Sequence, residues 1–239
     1  MKHLIKLLMA QTPYRIVHDK GAHRFQAIET CLREMKARGF APRVAIDGGA
    51  HIGSFSIAAQ SIFPDAIFHL VEPQPACSGP LRKLCAEKKG FVFHECALAQ
   101  KQGYIAITRT LEPSTGAHIT SDDARAIRVE AATLDALFGS VTQDDRPLLK
   151  LDLQGYELHA LRGGTTFLQS VEAILTEISF FAQAYEPPIA ALVSFLADSG
   201  FQLYDIASLS GRPRDNRLHQ GDFVFVRAGS QLLQDSRWQ

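Results

Sequence analysis

Cysteine is scarce in this sequence: Cys31, Cys77, Cys85 and Cys96 are the only four, and no two form a C-x-x-C pair. That argues against a disulfide-framed scaffold and points to free thiols in a reducing compartment, so a cytoplasmic location is expected. Net charge is missing too. Twenty-five Lys and Arg residues balance twenty-five Asp and Glu, which leaves no overall field to gather phosphates, and no nucleic-acid partner is expected. No segment approaches the roughly 20 apolar residues of a spanning helix. The opening MKHLIKLLMAQTPYRI is interrupted by Lys6 and followed by no A-x-A site. It reads as a short amphipathic helix, with Leu4, Leu7 and Leu8 on one face, rather than a cleaved leader. The histidines are scattered, with no H-x-H or H-x-x-x-H pattern, so no metal site is expected. Asp122-Asp123 and Asp144-Asp145 read as turn residues.

What is present is an ordinary globular composition, 46% apolar and 21% charged over 239 residues, enough for one α/β domain. Phe25 to Arg38 has helical spacing at Phe25, Ile28, Leu32 and Met35, and Gly39 and Pro42 close it off. Residues 1–40 are therefore taken as a helical extension and 41–239 as the main domain. From there apolar runs RVAID, AIFHLVE, FVFHEC, LLKLDL and AILTEISF alternate with helix-like segments such as Phe55 to Ile62 and Cys77 to Lys88. Such alternation implies right-handed crossovers and a doubly wound, mostly parallel sheet. YIAITR and IRVEAA are strand-like without an intervening helix and are joined by a long polar stretch at 110–126. GFQLYDI and DFVFVR flank a second polar stretch, 207–221, and should form an antiparallel hairpin ending the sheet.

The chemistry concentrates where an apolar strand runs into a glycine-rich turn and a helix, V44-A-I-D-G-G-A-H-I-G-S-F55. Glycines there would let a ligand approach backbone amides. A P-loop requires Lys-Ser/Thr after its last glycine, and Ser54-Phe55 occupies that place. A dinucleotide turn requires a glycine where Ala50 stands, and Asp47 would repel a pyrophosphate. S-adenosylmethionine has no phosphates and carries an ammonium and a sulfonium, so a carboxylate beside the turn helps it. Glu72 closes the second strand about 20 residues past Gly53, where a carboxylate accepts ribose hydroxyls of either adenosine cofactor.

With these residues in view, the sequence resembles the FkbM family of S-adenosylmethionine-dependent methyltransferases over about residues 43–227. The resemblance rests on VAIDGGAHIGSFS, LVEPQP, ECALAQKQGYIAI, AATLDALF and LLKLDLQGYELHALRGG, in which Lys150, Asp152, Gly155 and Glu157 match the family's pattern. Gln154 replaces a usual Glu, and His51 a common Asn. The resemblance implies a class I, Rossmann-like methyltransferase fold, a seven-stranded sheet with a C-terminal antiparallel hairpin, S-adenosylmethionine as cofactor, and O-methylation of a small hydroxylated acceptor, a sugar or secondary metabolite. It implies that Asp47, Gly48, Gly49, His51 and Gly53, with Ala50 among them, line the methionine end. Glu72, next to Pro73, would hold the ribose, and Cys96 and Ala97 would lie beside the adenine.

Methyl transfer to an alcohol needs alignment first and a proton acceptor second. Asp152, ending the fourth strand beside the ligand crevice, is the first candidate base and also borders the cofactor. Glu177 reaches the same sheet edge and would orient the acceptor. His51 is a third candidate, for the base or for the methionine carboxylate. Lys150, in mid-strand, reads as paired with a carboxylate, and Glu157 as either catalytic or favouring its helix N-terminus. Arg212, Arg214 and Arg217 would suit an anionic acceptor or simply a solvated loop. Two other readings stay open, an NAD-dependent oxidoreductase and a non-catalytic cofactor-binding module; the oligomeric state is also left open.

Overall fold

The computed structural model describes residues 24–120, 126–181, 187–212 and 214–234. The expected helix at Leu4, Leu7 and Leu8, and the Asp122-Asp123 turn, lie outside the described residues. Helix α1 (Arg24–Ala37) is followed by β1 (Val44–Gly48), α2 (Ser54–Ile62), β2 (Ile67–Val71), α3 (Pro75–Glu87) and β3 (Phe91–His94). Three short strands follow, β4 (Ala97–Leu98), β5 (Gly103–Thr108) and β6 (Ala126–Ala132), then α4 (Leu134–Phe138), β7 (Leu148–Leu151) and α5 (Glu157–Arg162). The chain ends in β8 (Ala173–Ser179), α6 (Ile189–Asp198), β9 (Phe201–Gly211) and β10 (Leu218–Arg227).

Seven strands form one sheet in the order β3-β2-β1-β7-β8-β10-β9. The first five are mutually parallel, and β10 runs antiparallel to both β8 and β9. This is the Rossmann-like class I methyltransferase architecture. The parallel strands are apolar on both faces because helices cover both: β7 and most of β8 are buried throughout. On one face Ala45, Phe68 and Leu70 pack against Ile28, Leu32 and Met35 of α1 and against α2 and α3. On the other, Ile46, Leu149 and Ile174 pack against α4, α5 and α6. From Arg24 onward, helix α1 thus shares the core of the domain.

β4, β6 and β5 form a separate three-stranded sheet, with its own small core of Ala97, Ile107 and Val129. YIAITR and IRVEAA are its antiparallel pair. The polar stretch 207–221, expected as a loop, is mostly strand: β9 continues to Gly211 and β10 begins at Leu218. Its polar residues are satisfied across the ribbon, as where the Ser208 hydroxyl donates to Asp222, so low hydrophobicity did not prevent pairing. Arg212 is held by Asp215 through two bonds of 2.6 Å, and Arg217 stacks 3.9 Å from the Phe181 ring centroid.

The chain runs from β1 outward to β2 and β3 on one side and reaches β7 and β8 on the other. The strand order therefore reverses between β1 and β7. In open α/β sheets that reversal leaves a crevice beyond the carboxyl ends of the strands.

Candidate functional site

A cavity of about 270 Å³ occupies that crevice. It runs from Glu72, Pro73 and Gln74 after β2, past Gly49, Ala50 and His51 after β1, to Lys150, Asp152 and Gln154 at the end of β7, and on to Arg24 and Asp222. Ala97, Leu98, Ile105, Ile107 and Ile119 of the small sheet and its loop give one wall an apolar surface. Asp47, Gly48, Gly53 and Cys96 do not line the cavity, and neither does Glu177.

The turn's glycines are required by the protein's own packing. Gly49 has φ 73°, and a Cβ there would lie 1.9 Å from the Asp152 carbonyl oxygen. Gly53 has φ 85°, and its Cβ would meet a Leu84 methyl at 2.5 Å. The amides of Gly49 and Ala50 both donate to Val71 O, so the turn is stitched to β2 and pressed against β7.

Asp47 is fully buried. Its Oδ1 lies 2.9 Å from Lys150 Nζ, and its Oδ2 accepts from Ser56 Oγ at 2.7 Å. Lys150 Nζ also donates to the carbonyls of Gly48, at 3.2 Å, and Gly49, at 2.9 Å. Burial alone would strip its proton, but Asp47 and Asp152 outweigh that and hold it charged.

Glu72 is also buried, yet it borders the cavity. One oxygen accepts from His51 N and the other from Gln74 N, both at 2.9 Å. Burial raises its pKa against the pull of those two amides. A carboxylate has further lone pairs to offer. His51 sits at φ 51°, a left-handed position, and its Nε2 is a buried nitrogen with no hydrogen-bond partner among the described residues. Gln74 seats the 110–120 segment over the cavity: its Oε1 accepts from Thr110 Oγ1 and Ser114 N, both at 3.2 Å, and its Nε2 donates to Ser114 O at 3.0 Å.

At the far end Arg24 gathers three carboxylates. Its Nη2 lies 3.1 Å from Asp152, 2.7 Å from Glu177 and 2.6 Å from Asp222, while Nε donates to Asp222 at 2.7 Å. Asp152 also accepts from Gln154 Nε2 at 2.7 Å. Burial pushes the Asp152 carboxyl up, but Lys150 and Arg24 together hold it below the usual carboxylate range. Glu177 goes the other way: burial, with Asp152 and Asp222 nearby, pushes it up to about 8 despite Arg24. Glu157 accepts from the amides of Leu153, at 2.7 Å, and Gly155, at 3.3 Å, and burial pushes it up to about 7.

Of the residues singled out from the sequence, the fold brings Gly49, Ala50, His51, Glu72, Pro73, Ala97 and Asp152 to one cavity wall. Sequence reasoning missed Arg24, Gln74 and Asp222. Only Asp222 carried a signal, as a charge directly preceding the apolar run FVFV. Among the described residues no cluster suits a metal ion, and no helix is long and apolar enough to cross a membrane.

Residues 47–203 match the family described as "Methyltransferase FkbM domain". No curated protein matches the chain. Among solved structures, the chain is similar to an FkbM methyltransferase from Methylobacillus flagellatus KT, with 16% identity and a TM-score of 0.50 over 76% of this chain and 43% of that one. The chain thus spans under half the length of that relative. It is also similar to magnesium protoporphyrin IX methyltransferase from Synechocystis PCC 6803. The form with bound SAM gives 14% identity and a TM-score of 0.50 over 86% of this chain and 78% of that one. The form with bound SAH gives 12% identity and a TM-score of 0.51 over 95% and 94%. At these identities the likeness is one of fold.

Proposed function

The chain belongs to the FkbM methyltransferase family, and from that premise we propose that it methylates a hydroxyl of a small acceptor, a sugar or secondary metabolite, with S-adenosylmethionine as donor. The family uses that cofactor. One observation carries the reading for this chain: a single cavity joins the buried Glu72 carboxylate, an apolar wall, and an unpaired His51 Nε2 to the Asp152 end of β7. Glu72 would accept the ribose hydroxyls, and Leu98, Ile105, Ile107 and Ile119 would cover the adenine. Asp152 and Asp222 face the end where positive charge has to be accommodated.

The wall charges also favour this ligand over a dinucleotide. Glu72, Asp152 and Asp222 are set against Arg24 and Lys150, and Lys150 is already neutralised by Asp47. A pyrophosphate would enter against that excess of negative charge.

S-adenosylmethionine supplies a methyl group made electrophilic by its sulfonium. The protein's part is to align the acceptor and take its proton. Positioning of this kind contributes up to roughly 7–11 kcal/mol in intramolecular models. Asp152, kept ionised by Lys150 and Arg24, accepts the hydrogen bond of the attacking hydroxyl and orients its lone pair. His51, with Nε2 unpaired, is the second group able to contact acceptor or cofactor. Glu177 contacts Arg24 and Gln220 rather than the cavity, and holds Arg24 in place.

The test is transfer of a radiolabelled methyl group from S-adenosylmethionine to a panel of free sugars, nucleotide-linked sugars and phenols. An alkali-stable methyl ether on a hydroxylated acceptor is the expected product. Methylation confined to amines, thiols or carboxylates would overturn the O-methyltransferase reading.

A further inference from the structure

Resting on the reading that the cavity holds S-adenosylmethionine, we propose that Arg24, delivered by helix α1, binds the amino-acid carboxylate of the cofactor. The cavity fixes the direction. If the ribose lies on Glu72 after β2, the rest of the ligand extends past Gly49 and Ala50 after β1 towards β7, and Arg24 borders that end. An α-amino acid presents an ammonium and a carboxylate side by side, and its site must offer both signs. Asp152 and Asp222 supply the negative one.

Among the described residues two Lys or Arg side chains reach the wall, Lys150 and Arg24. An ammonium has three donors, and those of Lys150 go to Asp47, Gly48 O and Gly49 O. Arg24 spends Nη2 and Nε on Asp152, Glu177 and Asp222, whereas Nη1 has no partner among the described residues. Its guanidinium is therefore locked in orientation by three carboxylates, which leaves the two Nη1 N–H donors, unpartnered among the described residues, for an anion. A planar guanidinium fixed in this way suits a carboxylate better than a mobile ammonium would. Asp47, which the family resemblance implied at the methionine end, is fully buried and does not line the cavity. Arg24 lies outside the segment 47–203 that matches the family, so the assignment rests on this chain's own geometry.

Titration calorimetry with two ligands isolates the contact. S-adenosylhomocysteine carries the amino-acid group, and 5′-methylthioadenosine keeps the adenosine and sulfur without it. Arg24→Met should weaken S-adenosylhomocysteine binding at least about tenfold, while 5′-methylthioadenosine affinity stays within about twofold of wild type. Arg24→Lys should recover part of the loss. Equal loss for both ligands, or no loss for either, overturns the proposal, the first because Arg24 would then be acting through the fold. A wild-type protein that binds neither ligand overturns the cofactor reading itself, a result separable from failure of the Arg24 contact alone.

Discussion

Asp47 and Lys150 face each other across the β1–β7 pair, their carboxylate and ammonium 2.9 Å apart and buried. This aspartate, the next-to-last residue of β1, is thereby a structural clamp. It holds Lys150, and Lys150 holds the carbonyls of Gly48 and Gly49. Replacing Asp47 by Ala would leave a buried ammonium without its counter-ion, a change that typically costs about 3–5 kcal/mol. Chemical denaturation should show a loss of this size. Unchanged stability with a selective loss of S-adenosylhomocysteine affinity would return Asp47 to the binding surface.

Glu72 has the opposite character, buried yet open to the cavity. Glu72→Gln keeps the shape but removes the charge and one acceptor site. S-adenosylhomocysteine and 5′-methylthioadenosine should both bind more weakly, by about tenfold, since both carry the ribose. Calorimetry on the two ligands checks this, and unaltered affinity for both would move the ribose elsewhere.

The first strand, glycine turn and helix were legible because an apolar run, close-packed glycines and the helical spacing of Phe55, Ala59 and Ile62 all point to one structure. Glu72 and Asp152 were legible because strand ends in a parallel sheet converge on one edge. The packing that requires these glycines was not: Asp152 O and Leu84, against which Gly49 and Gly53 pack, are distant in sequence. The β9–β10 ribbon was hidden because its outer part pairs polar residues, and hydrophobic patterning sees only burial. Arg24 was hidden for a related reason. The helical spacing of α1 tells which side chains face the core, not what its first residue reaches across the sheet.

Asp152 is held ionised and borders the cavity, so Asp152→Asn should lower turnover by about 10²-fold or more, a larger effect than the loss of S-adenosylhomocysteine affinity that follows from weakening the site for its ammonium. His51→Asn should cost less than tenfold, because Asn tolerates the left-handed backbone at this position. Steady-state rates on an accepted hydroxyl substrate decide the matter. The reverse order of effects would transfer the proton-accepting role to His51.

Glu157 and Glu177 are raised to about 7 and about 8 from an ordinary value of 4.5, burial being the largest cause for each. The folded protein thus binds these protons more tightly than the unfolded chain. The associated stability is fully present below about pH 4.5 and is lost as pH rises through the folded values. Melting temperature should therefore decline between about pH 4.5 and 8, and Glu177→Gln should flatten the decline. Parallel curves for wild type and variant would show that Glu177 does not titrate in this range.

The most direct measurement is calorimetric titration of the wild-type protein with S-adenosylhomocysteine, with NAD and NADP titrated in parallel. Saturable one-site binding of S-adenosylhomocysteine and no binding of either dinucleotide is expected. Binding of NAD or NADP in its place would contradict it, because a cavity that accepts a pyrophosphate is not the one described by Glu72, Asp152 and Asp222.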